Sequence, residues 1–596
     1  MWCDGQCGQS SGLSPTQGLS PSLEEGRFSM EWPMWLIRGD ILASLPGITT
    51  HEDLVRQGKL CQWQPGHPRR VALISHQWVS VNHPDPQGKQ LSVLQEALRN
   101  MASGKASVVV DAFTAGHVGL RSGIELAMPS AEEQRACLEW DYWYDYFSIP
   151  QLDVQSLHMA IKSIPAYCCV VDFTIVLAPC LQHEDSGEVL GVLSWQRRGW
   201  CRLERSASLF ASRACLIMVT SPQKLVVKSG PEWVVGWPVE GDFSLETDRH
   251  MVGEVTSILL SIYRTGLWKK GDLQAWRFYT ALMSKTKLYP DFPPNESLSH
   301  FLQRYNMSAA DSSQLSPLML ASMEGNLSVM QALLREGCDI DATTKFEIPE
   351  AHVNGTNTAL SLAAQISTPE AVQLLLQARA SVNLPKAQGG VPLLTHASYF
   401  GNAAVLPLLI RAHADVNEGC FVVAGALSLS ATSSNPECTR ILLEHRADPN
   451  LEGTLGGRPL CMAALMQADA RHTQLLLEAR ADPNSINRSS LVGVLTLPLR
   501  VKYRLGLQDP ASMPILAGLG GTALHIAATT GCFEQAKLLL QFRAFHSCRH
   551  EMLPDLTPIQ LAKDVQDENM TALLLLAAAG RDLEDSDIDD MDSLCL

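Results

Sequence analysis

Seven times between residues 316 and 580, a short apolar opening is followed by a leucine-rich segment. The openings read SPLMLA (316), TALSLA (358), VPLLTHA (391), GALSLSA (425), RPLCMAA (458), TALHIAA (522) and TPIQLAK (557). Behind them stand ALLREGCDID, LLLQARASVN, PLLIRAHADVN, ILLEHRADPN, LLLEARADPN, LLLQFRAFHS and LLLLAAAG. Successive openings are 42, 33, 34, 33, 64 and 35 residues apart. Apolar positions at helical spacing predict two short helices per unit. Neither helix can bury its face alone, so stacking must make the core continuous. The phase places Leu375, Leu409, Leu443 and Leu476 between helix layers. The two long intervals predict insertions near 345–357 and 486–517. Because neighbouring units should touch directly, residues 487–515 are expected to be removable with the stack intact.

Upstream the pattern changes period. VALISH (71–76) is an apolar run that reads as a buried strand, and LSVLQEALRNM (91–101) puts Leu91, Leu94, Leu98 and Met101 on one helical face. WDYWYDYFSIPQ (140–151) is strand-like up to Pro150, and SLHMAIKSIPAY (156–167) is a short helix ended near Pro165. CCVVDFTIVLAP (168–179) and CLIMVTS (215–221) read as strands, with the helix SWQRRGWCRLERSASLFAS between them. Strands alternating with helices predict an α/β domain with a mainly parallel sheet covered on both faces. The stretch 102–136 reads as an insertion. The chain is thus expected to hold a disordered start (1–26), an α/β domain (27–247), a helical connector (248–305), the repeats (306–580) and a disordered acidic tail, RDLEDSDIDDMDSLCL (581–596).

Composition narrows the function classes. A net charge of −16 argues against general nucleic-acid or anionic-membrane binding, both of which need a basic face. No apolar run reaches the ~18 residues that span a bilayer. The start of the chain has neither the basic nor the apolar region of a signal peptide, so the sixteen cysteines read as reduced thiols of a soluble, cytoplasmic protein. Cys168, Cys169, Cys180, His183 and Cys201 lack any C-x-x-C pair, so no metal site and no cofactor is expected. Cys201 with His76 has the residue types of a thiol nucleophile and its base, without a supporting motif.

The period near 33 and the opening Thr522 to Ala528 (TALHIAA) resemble the ankyrin repeat. The resemblance implies an all-α solenoid that binds proteins through its hairpin tips and concave helix face. Matching positions are Met323, Glu324, Lys386, Tyr399, Phe400, Phe421 and Gln467. One departure stands out. The glycine usual after the second helix is replaced by Arg379, His413, Arg446, Arg480 and Arg543, while Gly337 and Gly580 keep it. A cation at a helix C-terminus is a favourable cap, which is the structural reading of these five positions; the functional alternative is a basic stripe for an acidic partner.

In the first half, VALISHQW resembles the first-strand box of Toll/interleukin-1 receptor (TIR) domains. AIKSIPAYCCVVDFTIVLAP and SWQRRGWCRLERSASL resemble their later helix, strand and W-C-x-x-E block. The heterokaryon-incompatibility (HET) domain fits WYDYFSIPQ and RGWCRLE as well. The segments 82–90 and 102–136 depart from the TIR pattern. The resemblance implies a flavodoxin-like parallel sheet and a signalling or assembly module that can self-associate. It also implies an alternative, cleavage of the nicotinamide–ribose bond of NAD as substrate. In that reading Glu204 is catalytic, with Ser75, His76 and Asp145 in the same cleft at the carboxyl ends of strands. A structural reading stands beside it, in which Glu204 pairs with Arg197, Arg198 or Arg205 at a helix start.

Overall fold

The run Val71–His76 is buried at all six positions, as a strand covered on both faces must be. The computed structural model divides into two units, Met1–Pro293 with Ile348–His352, and Pro294–Glu347 with Val353–Leu596. It describes residues 30–110, 128–210, 216–228, 237–284, 296–311, 314–344, 357–383, 391–419, 425–431, 435–453, 457–486 and 513–580, with 501 and 504 and without 552, 554 and 566.

The strands of the first unit are β1 (Trp35–Arg38), β2 (Leu60–Gln62), β3 (Val71–His76), β4 (Val108–Val110), β5 (Asp141–Tyr144), β6 (Phe173–Leu177), β7 (Leu181–Gln182), β8 (Val189–Leu190), β9 (Leu216–Ser221) and β10 (Lys224–Lys228). Eight of them form one mixed sheet in the order β2-β1-β5-β3-β6-β9-β10-β4. The inner strands β5, β3, β6 and β9 are mutually parallel. The flanking pairs β2–β1, β1–β5 and β9–β10 are antiparallel. The edge pair β10–β4 is parallel again, so the sheet is mainly parallel as expected, with antiparallel pairs only toward its flanks. Four strands, β1, β2, β4 and β10, have no counterpart in the sequence reading. They are three to five residues long, too short to show a period of two. β4 lies inside the stretch expected to be an insertion.

Seven helices matter to the site: α1 (Lys89–Ser103), α2 (Val154–Lys162), α3 (Ile164–Val170), α4 (Val192–Arg197), α5 (Gly199–Phe210), α6 (Glu246–Lys270) and α7 (Leu273–Met283). α1 buries Leu91, Leu94, Leu98 and Met101, as its spacing predicts. Pro165 does not end a helix. It sits in the first turn of α3, where the missing N–H is harmless, so Cys168–Val170 are helical rather than strand. Successive residues of β6 face opposite sides. Ile175 and Leu177 join the larger core with Ile74, Leu94 and Tyr142, and Val176 joins Trp195, Cys201 and Met218.

The second unit holds seven helix pairs: Pro317–Glu324 with Leu327–Arg335, Ala359–Ile366 with Pro369–Gln377, Leu393–Tyr399 with Leu406–Arg411, Ala426–Ser430 with Pro436–Glu444, Pro459–Leu465 with Ala470–Glu478, Ala523–Thr530 with Phe533–Gln541, and Pro558–Asp564 with Glu568–Ala578. One leucine of each second helix, from the first pair to the sixth, is at most 1% exposed: Leu333, Leu375, Leu409, Leu442, Leu476 and Leu539. Leu443, expected in that row, is half-buried and one position out of phase. Four residues after each buried leucine the chain turns left-handed, at Gly337, Arg379, His413, Arg446, Arg480 and Arg543, with φ between 65° and 79°. The turn is locked by backbone bonds of the Ala380 N–H to Leu375 O kind.

Side chains then tie each hairpin to the next. Asn417 Oδ1 accepts from the Asp448 N–H (2.9 Å), Asn450 Oδ1 from the Asp482 N–H (2.8 Å) and Asn484 Oδ1 from the Phe545 N–H (2.7 Å). The last bond jumps the long interval. So do Gln467 Nε2 to Thr530 O (2.8 Å) and Gln535 Nε2 to Ala463 O (3.3 Å). The fifth and sixth units therefore stack directly. The end of the intervening stretch is not a free loop, however. Met513–Gly518 is helical, Met513, Leu516 and Ala517 are buried, and His550 Nε2 lies 2.9 Å from Leu516 O. The insertion near 345–357 falls almost wholly outside the described residues.

Two outcomes follow for the array. Leu442→Ala should cost about 2–5 kcal/mol, as deletion of a fully buried leucine does, and Leu443→Ala clearly less. Far-UV circular dichroism melts check the order, and equal losses would refute the register. Deleting 487–511 should leave the melt unchanged, whereas deleting 487–518 should lower it because Met513 and Leu516 go with it. A large loss from the shorter deletion would make the whole stretch structural.

Candidate functional site

The stretch RRGWCRLER turns from α4 into α5, and a close approach explains its glycine. A Cβ on Gly199 would stand 1.9 Å from the Phe243 ring. The Gly199 N–H donates to Asp242 O (3.0 Å) and the Asp242 N–H to Arg197 O (2.7 Å). The neighbouring arginines bond away from Glu204. Arg197 pairs with Glu188 and Asp242, Arg198 donates to Ser244 Oγ, and Arg202 donates to the carbonyls of Gln196 and Trp237. Arg205 is buried. Among the described residues no cation pairs with the Glu204 carboxyl, which corrects the expected pairing with Arg197, Arg198 or Arg205.

Glu204 points inward instead, on the helix face behind the carboxyl end of β3. It is buried, and its Oε2 has no hydrogen-bond partner among the described residues. Burial pushes its pKa up to about 8 against the downward pull of the Ser75 hydroxyl, while the Asp145 charge raises it and the His76 charge lowers it. At neutral pH it is a carboxylic acid. Ser75 Oγ in turn accepts from Trp195 Nε1 at 2.9 Å. Next to it, His76 Nε2 lies 2.8 Å from Asp145 Oδ1, and Asp145 Oδ2 accepts from Trp78 Nε1 at 3.1 Å. The Tyr144 hydroxyl lies 3.4 Å from His76 Nδ1, and the two rings stack. Burial works against the His76 imidazolium, but the charge and hydrogen bond of Asp145 outweigh it and hold its pKa above the ordinary value. Asp145 is held below its ordinary value for the same reason, despite burial.

The four residues expected in one cleft, Ser75, His76, Asp145 and Glu204, are thus brought together at the carboxyl ends of β3 and β5. Ser75, His76 and Glu204 are buried in this polar centre, and the Asp145 side chain is 30% exposed at its edge. Cys201 is no nucleophile. Burial raises its thiol well above the ordinary value, and its Sγ meets the His76 carbonyl at 3.6 Å rather than the imidazole. Trp78, Trp195 and Tyr144 complete the centre and were not singled out from sequence. Their signal was position alone: Tyr144 ends β5, Trp78 follows β3 by two residues and Trp195 lies in α4, the helix before α5.

In the repeat unit the expected contact residues fall differently. Met323 is fully buried and belongs to the core. Glu324 is buried in an ion pair with Arg304 (2.6 Å) and accepts from the Tyr305 hydroxyl, so it closes the start of the array. Gln467 is spent on the bridge to Thr530. Tyr399 and Phe400 are half-buried and meet edge to face at 5.3 Å. Lys386 and Phe421 lie outside the described residues. His525 of the TALH opening is buried, which pushes its pKa down to about 4. As neutral imidazole it accepts from the Thr522 N–H at 3.1 Å, which is why that motif starts a helix.

Family models for ankyrin repeats match residues 318–420, as three copies, and 519–549, as a single repeat. The C-terminal half is an ankyrin-repeat array. A curated relative, ankyrin repeat and SAM domain-containing protein 6 of Danio rerio, is 35% identical over 135 residues, which cover 22% of this chain and 17% of that protein. The human ASB11 ankyrin repeat domain aligns with 44% of this chain and 97% of its own at 21% identity, with a TM-score of 0.34. Among the described residues no helix is long and apolar enough to cross a membrane.

The polar centre makes a pH prediction. Glu204 keeps a proton in the folded chain from pH 4.5, its ordinary value, to about 8, where the unfolded chain has lost it, so stability falls as pH rises through that window. His76 acts in the same direction above 6.5. All 13 tryptophans lie between residues 2 and 276, so their fluorescence reports the first unit. Its melting temperature should be lower at pH 8 than at pH 6, and Glu204→Gln should shrink that difference. An unchanged slope in the variant would place the acid in solvent.

Proposed function

We propose that the chain is a protein-interaction adaptor of the cytoplasm. Its ankyrin array holds protein partners, and its first unit is a TIR- or HET-like signalling or assembly module capable of self-association. The observation that carries the first part is the array itself. Seven stacked pairs present a rigid, repetitive surface, the usual use of which is to hold another protein. Within it Tyr399 and Phe400 offer partly exposed aromatic area of the kind that anchors interfaces. The module reading is supported by the order of the parallel strands. β5-β3-β6-β9 are second, first, third and fourth in the chain, the order of flavodoxin-like sheets. Proximity labelling in cells with the full chain should give a partner set that Tyr399→Ala with Phe400→Ala depletes about ten-fold, the loss expected from one hot spot. Glu204→Gln should leave that set intact. A set indifferent to the array and lost with Glu204→Gln would move the function to the first unit.

A second reading is favoured by the gathering of Ser75, His76, Asp145 and Glu204 at the carboxyl ends of parallel strands, where open α/β sheets bind ligands. In it the first unit cleaves NAD. Loss of nicotinamide leaves positive charge on the ribose carbon, which a carboxylate stabilises. Glu204 holds its proton up to about pH 8, so turnover would rise toward that pH. The full chain at high concentration should then release nicotinamide faster at pH 8.5 than at pH 7, and Glu204→Gln should abolish release without lowering the melting temperature. No release at either pH overturns this reading and leaves the adaptor.

A further inference from the structure

The sixth repeat breaks the pattern of its neighbours at one edge. The third, fourth and fifth hairpins carry Asp415, Asp448 and Asp482 directly after the conserved-phase alanine, and Asn417, Asn450 and Asn484 two residues later. In the sixth, Phe545 stands where the aspartate should be and Ser547 where the asparagine should be. Phe545 is 62% exposed and Phe542 40%, the two large exposed apolar side chains of that repeat. Between and beside them Arg543 and Arg549 are exposed, and among the described residues neither forms an ion pair. The fourth and fifth hairpins flank their left-handed arginines with acids, and the second, around Arg379, has neither acid nor aromatic there. Asp448 and Glu444 flank Arg446, and Asp482 and Glu478 flank Arg480. The sixth hairpin has no acid between Gln541 and His550. Among the described residues, exposed aromatics and arginines therefore meet in an acid-free stretch at the edge of this unit.

We propose that this edge is the docking site of the chain's own segment 581–596. The occupant is argued from chemistry, reach and starting point. The segment reads RDLEDSDIDDMDSLCL, seven acids interspersed with Leu583, Ile588, Met591 and Leu594. That alternation of anionic and aliphatic groups is complementary to arginines set among phenylalanines, and neither a purely acidic nor a purely apolar peptide would be. The segment leaves the array at Gly580, which has a left-handed backbone (φ 69°) after the last helix of the seventh unit, as Arg543 (φ 67°) does after that of the sixth. Stacked helices stand about 8–10 Å apart and an extended residue covers about 3.3 Å. Some three residues therefore bridge from Gly580 to the sixth edge, and the acidic stretch falls on it. The segment so placed covers a surface that an acidic–aliphatic peptide of another protein would otherwise take. This inference rests on the repeat geometry and not on any role of Glu204.

The test uses a fluorescent peptide of residues 581–596 and the full chain in two forms. One is natural. The other has Asp582, Asp585, Asp587, Asp589, Asp590 and Asp592 replaced by Asn and Glu584 by Gln. The peptide should bind the neutralised chain in low salt, weaken as salt rises, and bind the natural chain at least ten-fold more weakly because the edge is already occupied. Phe545→Asp with Arg543→Gly in the neutralised chain should abolish binding. Both changes restore the pattern of other repeats, so the far-UV melt should be kept. Equal affinity for natural and neutralised chains overturns docking in cis, as does absence of binding at low salt. Concentration-dependent self-association of the natural chain, lost on neutralising the segment, would assign the edge to a second copy and overturn the proposal.

Discussion

A pair of helices of eight and nine residues, such as Ala359–Ile366 with Pro369–Gln377, cannot bury its own apolar face. That constraint governs the second unit. Each pair is stable only against the next, so what must be specified is the step between pairs. The buried leucine of the second helix sets the depth, and the left-handed residue four positions later turns the chain. The asparagine of the hairpin then reaches forward to the backbone of the next. Asn450 both accepts from the Asp482 N–H and donates to Arg480 O, and Asn484 does the same for Phe545 and Arg543. One side chain thereby satisfies a donor and an acceptor that the turn would leave open. The same bond closes over the long interval as easily as over a short one, which is why an insertion can sit between the fifth and sixth units.

The arginines at the left-handed positions fit this scheme. A side chain at positive φ costs on the order of 1 kcal/mol relative to glycine. A cation at a helix C-terminus recovers about 0.3–1 kcal/mol. The two nearly cancel, so backbone energy does not choose between Gly337 and Arg379. The choice is free to be made by what lies outside the array.

The first unit shows the opposite economy. Its sheet holds a charged pair, buried His76 with half-buried Asp145, and a buried acid, Glu204, where parallel strands end. A buried imidazolium needs a partner and hydrogen bonds to hold its charge, and Asp145, itself held by Trp78 and the Tyr146 N–H, and the Tyr144 hydroxyl are placed to do that. Glu204 lacks such a set and stays neutral instead. The two acids differ because Asp145 is hydrogen-bonded to His76 and to the Trp78 indole, whereas Glu204 has the Ser75 hydroxyl and burial outweighs it.

Much of this was legible in the sequence. The repeat phase, the left-handed cations, the strand at 71–76 and the helix at 89–103 all follow from periodicity, because each is long or recurs. The misses share a cause. Leu443 was chosen over Leu442 because three consecutive apolar residues, Ile441 to Leu443, carry no phase of their own. β1 and β10 pair with distant strands, and pairing leaves no local mark. Met323 and Glu324 looked like surface because the motif places a helix end there, yet the segment 296–305 folds over it and supplies Arg304. At the polar centre, sequence named the four residues but not the environment. Composition put four arginines beside Glu204, but in the fold Arg197, Arg198 and Arg202 bond elsewhere. Whether the carboxyl is a base or an acid is decided by its burial, which its charged neighbours in the chain do not reveal.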